Sequence, residues 1–197
     1  PHPVACFGHQ CQVDFAKVGM VGGGNANTQC YQSLRLEKIE QLRKEGVEPY
    51  PPRAERTHTS AQGIHTFEEA EKEAGEGHLP AEIQATLAGR IRATRPMGKL
   101  TFAHIEDGEG RIQLLLRMNE LGQERVDWFN KMFDIGDFIQ ASGFLFRTRT
   151  GEPTIEARSY TILTKALRAP PEKWHGLRDV EVRYRQRYLD LAAREGV

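Results

Sequence analysis

At Ile83 the chain changes period. Residues 83–93, "IQATLAGRIRA", set Ile83, Ala85, Leu87, Gly89 and Ile91 against Gln84, Thr86, Arg90 and Arg92. An alternation of two buries one face only as a strand. "LTFAHIED" and "RIQLLLR" follow as strands two and three. The period then turns helical in "NELGQERVDWFNKMFDIGD", where Asn119 is placed to cap, Val126, Phe129 and Phe133 share a stripe, and Gly136 stops the helix. Strand four, "FIQASGFLFRTR", and strand five, "TIEARSYTILT", are joined by a turn at "TGEP". Three strands, a helix and two strands is the order of a five-stranded OB-fold barrel with a helix between strands 3 and 4. Gly89 and Gly143 suit the sharp coiling of so small a barrel. The expected fold class is therefore mainly β with flanking helices (α+β). An unclosed antiparallel sheet packed on the helix is the alternative that the pattern leaves open.

Around this barrel, assigned to residues 81–166, the chain divides into three further parts. Residues 1–32 include "VGGGNANTQ", a glycine-rich stretch with no period that could bury a face, and are expected to be a disordered or non-native leader. The chain opens on proline, which makes Met20 a hypothetical true start. Residues 33–80 form an N-terminal helical extension. In it "SLRLEKIEQLRKEG" aligns Leu36, Ile39 and Leu42 between a Ser33 cap and a Gly46 stop, and "TFEEAEKEA" (66–74) makes a second, weakly amphipathic helix. "EPYPPR" between them cannot be helical, because its prolines remove backbone donors. Residues 167–197 hold a proline-bearing linker and the amphipathic "VEVRYRQRYLDLAARE", which looks made to dock.

Charge narrows the function classes. Lysine plus arginine balance aspartate plus glutamate at 27 each, so any nucleic-acid role must come from local clustering. No apolar run approaches the roughly 20 residues that cross a bilayer, and no secretory signal is evident, which gives a cytoplasmic expectation without a membrane partner. Cys6, Cys11 and Cys30 make a poor disulfide framework, and with His9 they lack the second pair that a zinc site needs, so no metal is expected. "GEGR" at 108–111 lies in a hairpin rather than before a helix and is read as a turn. No catalytic residue emerges, since no serine, cysteine or histidine has the neighbours of an activated nucleophile.

The hairpin "RPMGKLTFAHIEDGEGRIQ" (95–113) carries the chemistry. A tight turn on Asp107 and Gly108 sets Phe102 directly across from Gln113, and a turn one residue later leaves the two diagonal on one face. Phase sends Ala103, Ile105, Ile112, Leu114 and Leu116 inward, and Phe102, His104, Arg111 and Gln113 outward. An exposed or half-exposed Phe102 either packs on a neighbour or offers a platform to an unpaired base, with the Gln113 amide as selector. Arg90, Arg92, Arg95, Lys99, Arg147 and Arg149 are either a solvated face or phosphate contacts.

"GRIRATRPMGKLTF", "GRIQLLL", "GDFIQASGFLFRTRTGEPTI" and above all "LTKALRAPPEKWHGLRDVEVRYRQRYLDL" resemble the N-terminal half of class II lysyl-tRNA synthetases (lysine-tRNA ligases), from Leu34 to the C-terminus. Ala169 stands where the resemblance leads one to expect a proline. The resemblance implies an anticodon-binding OB domain for a lysine tRNA. In it Phe102 stacks, Gln113 reads the central uridine, and Arg95 and Glu152 contact anticodon bases. It also implies that the chain stops before the catalytic motifs and is inactive alone, with no cofactor of its own. ATP and Mg2+, and a homodimer, are expected for the full-length enzyme. Competing expectations are a sequence-nonspecific single-strand-binding module, an enzyme complete in this chain and a catalytically inactive regulatory paralogue.

Overall fold

The computed structural model describes residues 26–75, 82–168, 180–185, 187, 188 and 191. Five strands form the centre: β1 (Gln84–Met97), β2 (Leu100–Glu106), β3 (Arg111–Arg117), β4 (Phe138–Arg147) and β5 (Pro153–Thr164). They close into a barrel in the order β1-β2-β3-β5-β4, with β3 and β5 parallel and the other pairs antiparallel. The strand order read from the sequence is thus the barrel observed, and the open sheet is not formed. The inward phase of each strand fills the interior: Leu87, Ile91, Ile105, Leu114, Ile139 and Ile155 are fully buried. A Cβ on Gly143 would lie 1.9 Å from the Glu156 carbonyl oxygen, at an irregularity in the β4–β5 register, so only glycine lets the strands coil this closely there.

One end of the barrel is plugged by α4 (Gln123–Met132), which buries Val126, Phe129 and Met132; it ends before the expected Gly136 stop, so Phe133 of the expected stripe is buried as the C-cap and lies outside the helix. The expected single helix is broken, however. A four-residue α3 (Met118–Leu121) precedes it, and Gly122 at φ +86° separates the two. Asn119 therefore lies inside α3 and caps nothing.

Two helices of the N-terminal extension pack outside. α1 (Ala26–Lys44) begins seven residues before the expected Ser33 cap, so residues 26–32 of the supposed leader are helical and Ser33 is interior. Residues 1–25 lie outside the described set. Its buried face is Arg35, Ile39 and Leu42, while Leu36 is exposed. Arg35 takes a place in the buried face because its guanidinium meets backbone carbonyls there: it donates to those of Ala166 at 2.7 Å, Arg168 at 3.1 Å and Ile135 at 3.1 Å. Beside it a fully buried Lys165 donates to the Met132 carbonyl at 2.6 Å and to Asp137 Oδ2 at 2.6 Å. Together these bonds hold the chain as it leaves β5.

α2 (Ser60–Ala74) starts six residues before the expected one. Its signal is a capping box: Gln62 N–H donates to Thr59 Oγ1 at 3.1 Å and Thr59 N–H to Gln62 Oε1 at 3.0 Å. The β2–β3 hairpin sits on this helix start. Asp107 Oδ2 accepts the Ser60 amide at 2.7 Å and its Oδ1 the amides of Glu109 and Gly110 at 2.9 Å. That four-residue connection sets the register: Glu106 pairs with Arg111, Phe102 with Leu115, and His104 with Gln113. The direct Phe102–Gln113 pairing is thereby corrected to the diagonal one. The short α5 (Val180–Arg185) leaves Tyr184 exposed; most of the linker before it lies outside the described residues.

Candidate nucleic-acid interface

The outer face of β2 and β3, the end of β4 and the β4–β5 loop enclose a groove of about 700 Å3. Arg95 comes from β1, Phe102 from β2, Gln113 from β3 and Glu152 from the loop, and all four line it. Phe102 is half-buried, as its phase requires. Gln113 lies deeper than expected, 9% exposed, because the loop folds over it.

The floor is a hydrogen-bonded chain. Thr154 Oγ1 donates to Gln113 Oε1 at 2.9 Å, and Gln113 Nε2 donates to Glu152 Oε2 at 2.7 Å. His104 Nε2 lies 3.0 Å from Glu152 Oε1. The loop is itself braced: Thr148 N–H donates to the Glu152 carbonyl at 3.1 Å, and Gly151 turns it at φ +84°. A Gln113 amide so held still has one N–H to donate, and a carboxylate with two oxygens in use can accept further bonds.

The basic cluster is smaller than its sequence suggests. Arg92 is spent on Glu106 in a two-pronged pair, Nε to Oε2 at 2.9 Å and Nη2 to Oε1 at 2.7 Å, and this holds the Glu106 carboxyl below the usual range. Arg147 pairs in the same way with Glu71 of α2 and also donates to the Gly151 carbonyl at 2.7 Å, so it braces the loop. Arg90 lies over the Phe138 ring. Arg95, Lys99 and Arg149 stay exposed, and no carboxylate among the described residues pairs with them.

The groove therefore offers an aromatic ring on one wall, a preorganised donor and acceptor on its floor and cations at its rim. Those are the parts that bind single-stranded nucleic acid through base stacking and edge contacts. Sequence reasoning missed the roles of His104 and Thr154, which depend on the β3–β5 pairing, and of Phe146 and Arg117, which also line the groove. The outward phase of "FIQASGFLFR" was the available signal for Phe146. Among the described residues no group of His, Cys, Asp and Glu could hold a metal ion, and no helix is long and apolar enough to cross a membrane.

Residues 85–163 match the family of OB-fold nucleic acid binding domains. Over 158 residues, 80% of this chain and 29% of the relative, the sequence is 50% identical to a lysine--tRNA ligase of Pelotomaculum thermopropionicum. A lysine--tRNA ligase of Roseiflexus castenholzii is 50% identical over 161 residues, 81% of this chain and 31% of its own length. One from Carboxydothermus hydrogenoformans is 48% identical over 158 residues, 80% and 30% respectively. The match thus spans about 30% of the length of these relatives.

Proposed function

We propose for this chain, which belongs to the lysine--tRNA ligase family and carries an OB-fold nucleic acid binding domain, the recognition of a lysine-tRNA anticodon loop in the groove above β2 and β3. The observation that carries this reading is convergence. Arg95, Phe102, Gln113 and Glu152, dispersed between positions 95 and 152 of the sequence, line one groove, with Gln113 and Glu152 bonded at 2.7 Å.

An unpaired base stacks on Phe102, a contact worth about 1–3 kcal/mol. Its Watson–Crick edge then meets the free N–H of Gln113 and the open lone pairs of Glu152. A uracil edge complements that pair, since it presents an N3–H donor between carbonyl acceptors. Cytosine presents an acceptor at N3 and leaves the Glu152 carboxylate facing a lone pair. Arg149 at the rim positions the backbone and carries no sequence information, while Arg95, exposed beside it, reaches a phosphate as well as the anticodon base that the resemblance implies for it. Charging of tRNA with lysine, with ATP and Mg2+ as the expected cofactors and a homodimer as the expected assembly, is proposed for a longer protein of which recognition is this chain's part. A cytoplasmic location goes with that role.

Titration of the chain with a lysine anticodon stem-loop tests the reading. Binding should weaken when the central uridine is replaced by cytidine and when Phe102 is changed to alanine. Equal affinity for both loops would replace the base-reading role with sequence-blind single-strand binding.

A further inference from the structure

The groove has two aromatic walls, and one base on Phe102 uses only the first. Phe102 on β2 pairs through Leu115 of β3 and Glu156 of β5 to Phe144 of β4, while the neighbouring row runs His104, Gln113, Thr154, Phe146. Phe146 thus ends the row that contains the reading amide, on the far side of the groove from Phe102. Three strand spacings put the two walls on the order of 14 Å apart along the sheet.

The outer face of β4 carries three arginine–phenylalanine pairs: Arg90 with Phe138, Arg158 with Phe144, and Arg117 with Phe146. Of these rings, only Phe146 lines the groove. Arg117 also lines it, its guanidinium 5.8 Å from the Phe146 centroid and held 3.0 Å from Glu156 Oε1, with 46% of its side chain exposed. A half-buried ring and a tethered guanidinium plane are the two surfaces on which splayed bases stack.

Resting on the anticodon-loop reading, we propose that Phe146 and Arg117 form a second stacking platform, which holds a different base of the same loop from the one on Phe102. Every base has a π-face, so this platform adds affinity and fixes the splay of the loop with little choice of sequence. The choice is left to Gln113 and Glu152 between the walls.

The test uses the full chain and lysine anticodon stem-loops carrying 2-aminopurine singly at each of the three anticodon positions, whose fluorescence falls on stacking. Two positions should be quenched on binding. Phe102→Leu should relieve one and Phe146→Leu the other, each weakening binding about ten-fold. Phe146→Trp should restore the quench. Arg117→Gln, which leaves the ring in place, should weaken binding and relieve the same position as Phe146→Leu in part. An unchanged quench in both Phe146→Leu and Arg117→Gln, or relief at the position that Phe102→Leu affects, overturns the second platform while leaving the anticodon reading intact. A wild-type chain that fails to bind the stem-loop overturns that reading and the platform with it.

Discussion

Gln113 Nε2 donates to Glu152 Oε2 at 2.7 Å across 39 positions of sequence, joining β3 to the β4–β5 loop on the floor of the groove. Each residue fixes the other, and His104 and Thr154 hold the remaining ends of the pair. Their roles in recognition should therefore be strongly coupled. Gln113→Ala and Glu152→Ala should each erase the preference for uridine over cytidine, and the double variant should lose little beyond the worse single one. The coupling in a double-mutant cycle on stem-loop affinity is expected at about 1 kcal/mol or more. Additive losses would mean that the two side chains act on separate bases.

Gly143→Ala should be among the most damaging changes to the barrel. The added Cβ would meet the Glu156 carbonyl oxygen at 1.9 Å, and backbone in a paired strand cannot retreat as a flexible side chain can. A loss of about 3 kcal/mol or more is expected in urea unfolding. Gly108→Ala, at an exposed position with nothing within 4 Å of the new methyl, should stay within about 0.5 kcal/mol of the parent.

The barrel was legible because β2, β4 and the first half of β1 alternate cleanly between buried and part-exposed residues. β3 was read to its exact bounds from "RIQLLLR". Errors arose where tertiary bonds overrode local pattern. The α2 start carries a local signal, the Thr59–Gln62 capping box, that the apolar periodicity does not register, and Glu109 and Asp107 of a hairpin 47 and more positions away complete it. Arg35 was not recognised as buried because its partners are backbone carbonyls, which no residue pattern announces. In the site, the phase of one hairpin placed Phe102 outward. The depth of Gln113 depended instead on the parallel β3–β5 pairing, which brings Thr154 and Glu152 over it. Ion pairing was equally invisible: a run of arginines gives no hint that Arg92 and Arg147 are already engaged by Glu106 and Glu71.

Acid should destabilise the fold through the hairpin. The hydrogen bond from Arg92 holds the Glu106 carboxyl below its ordinary value, and at Asp107 burial is outweighed by the amides of Ser60, Glu109 and Gly110. For groups depressed in the folded state, the contribution is present above their unfolded values and lost as pH falls through the folded ones. Urea unfolding from about pH 6 down to about pH 3 should show stability falling below about pH 4.5. Glu106→Gln should be less stable near neutrality and show a shallower fall. An unaltered slope in that variant would remove Glu106 as a source of the acid sensitivity.

Salt dependence should separate the arginines exposed at the groove from those that hold the protein together. Arg95 and Arg149 are exposed at the groove and no carboxylate among the described residues pairs with them, so each can release a counterion from a phosphate. Arg95→Ala and Arg149→Ala should each reduce the slope of log affinity against log salt by about 0.7, the single-strand value per neutralised phosphate. Arg92 lies on the same strand as Arg95, yet both prongs of its guanidinium are on Glu106. Arg92→Ala should therefore weaken the fold and leave the salt slope unchanged. A slope reduced equally in all three variants would mean that the Arg92–Glu106 pair opens when RNA binds, and that the electrostatic footprint extends along β1 beyond the groove.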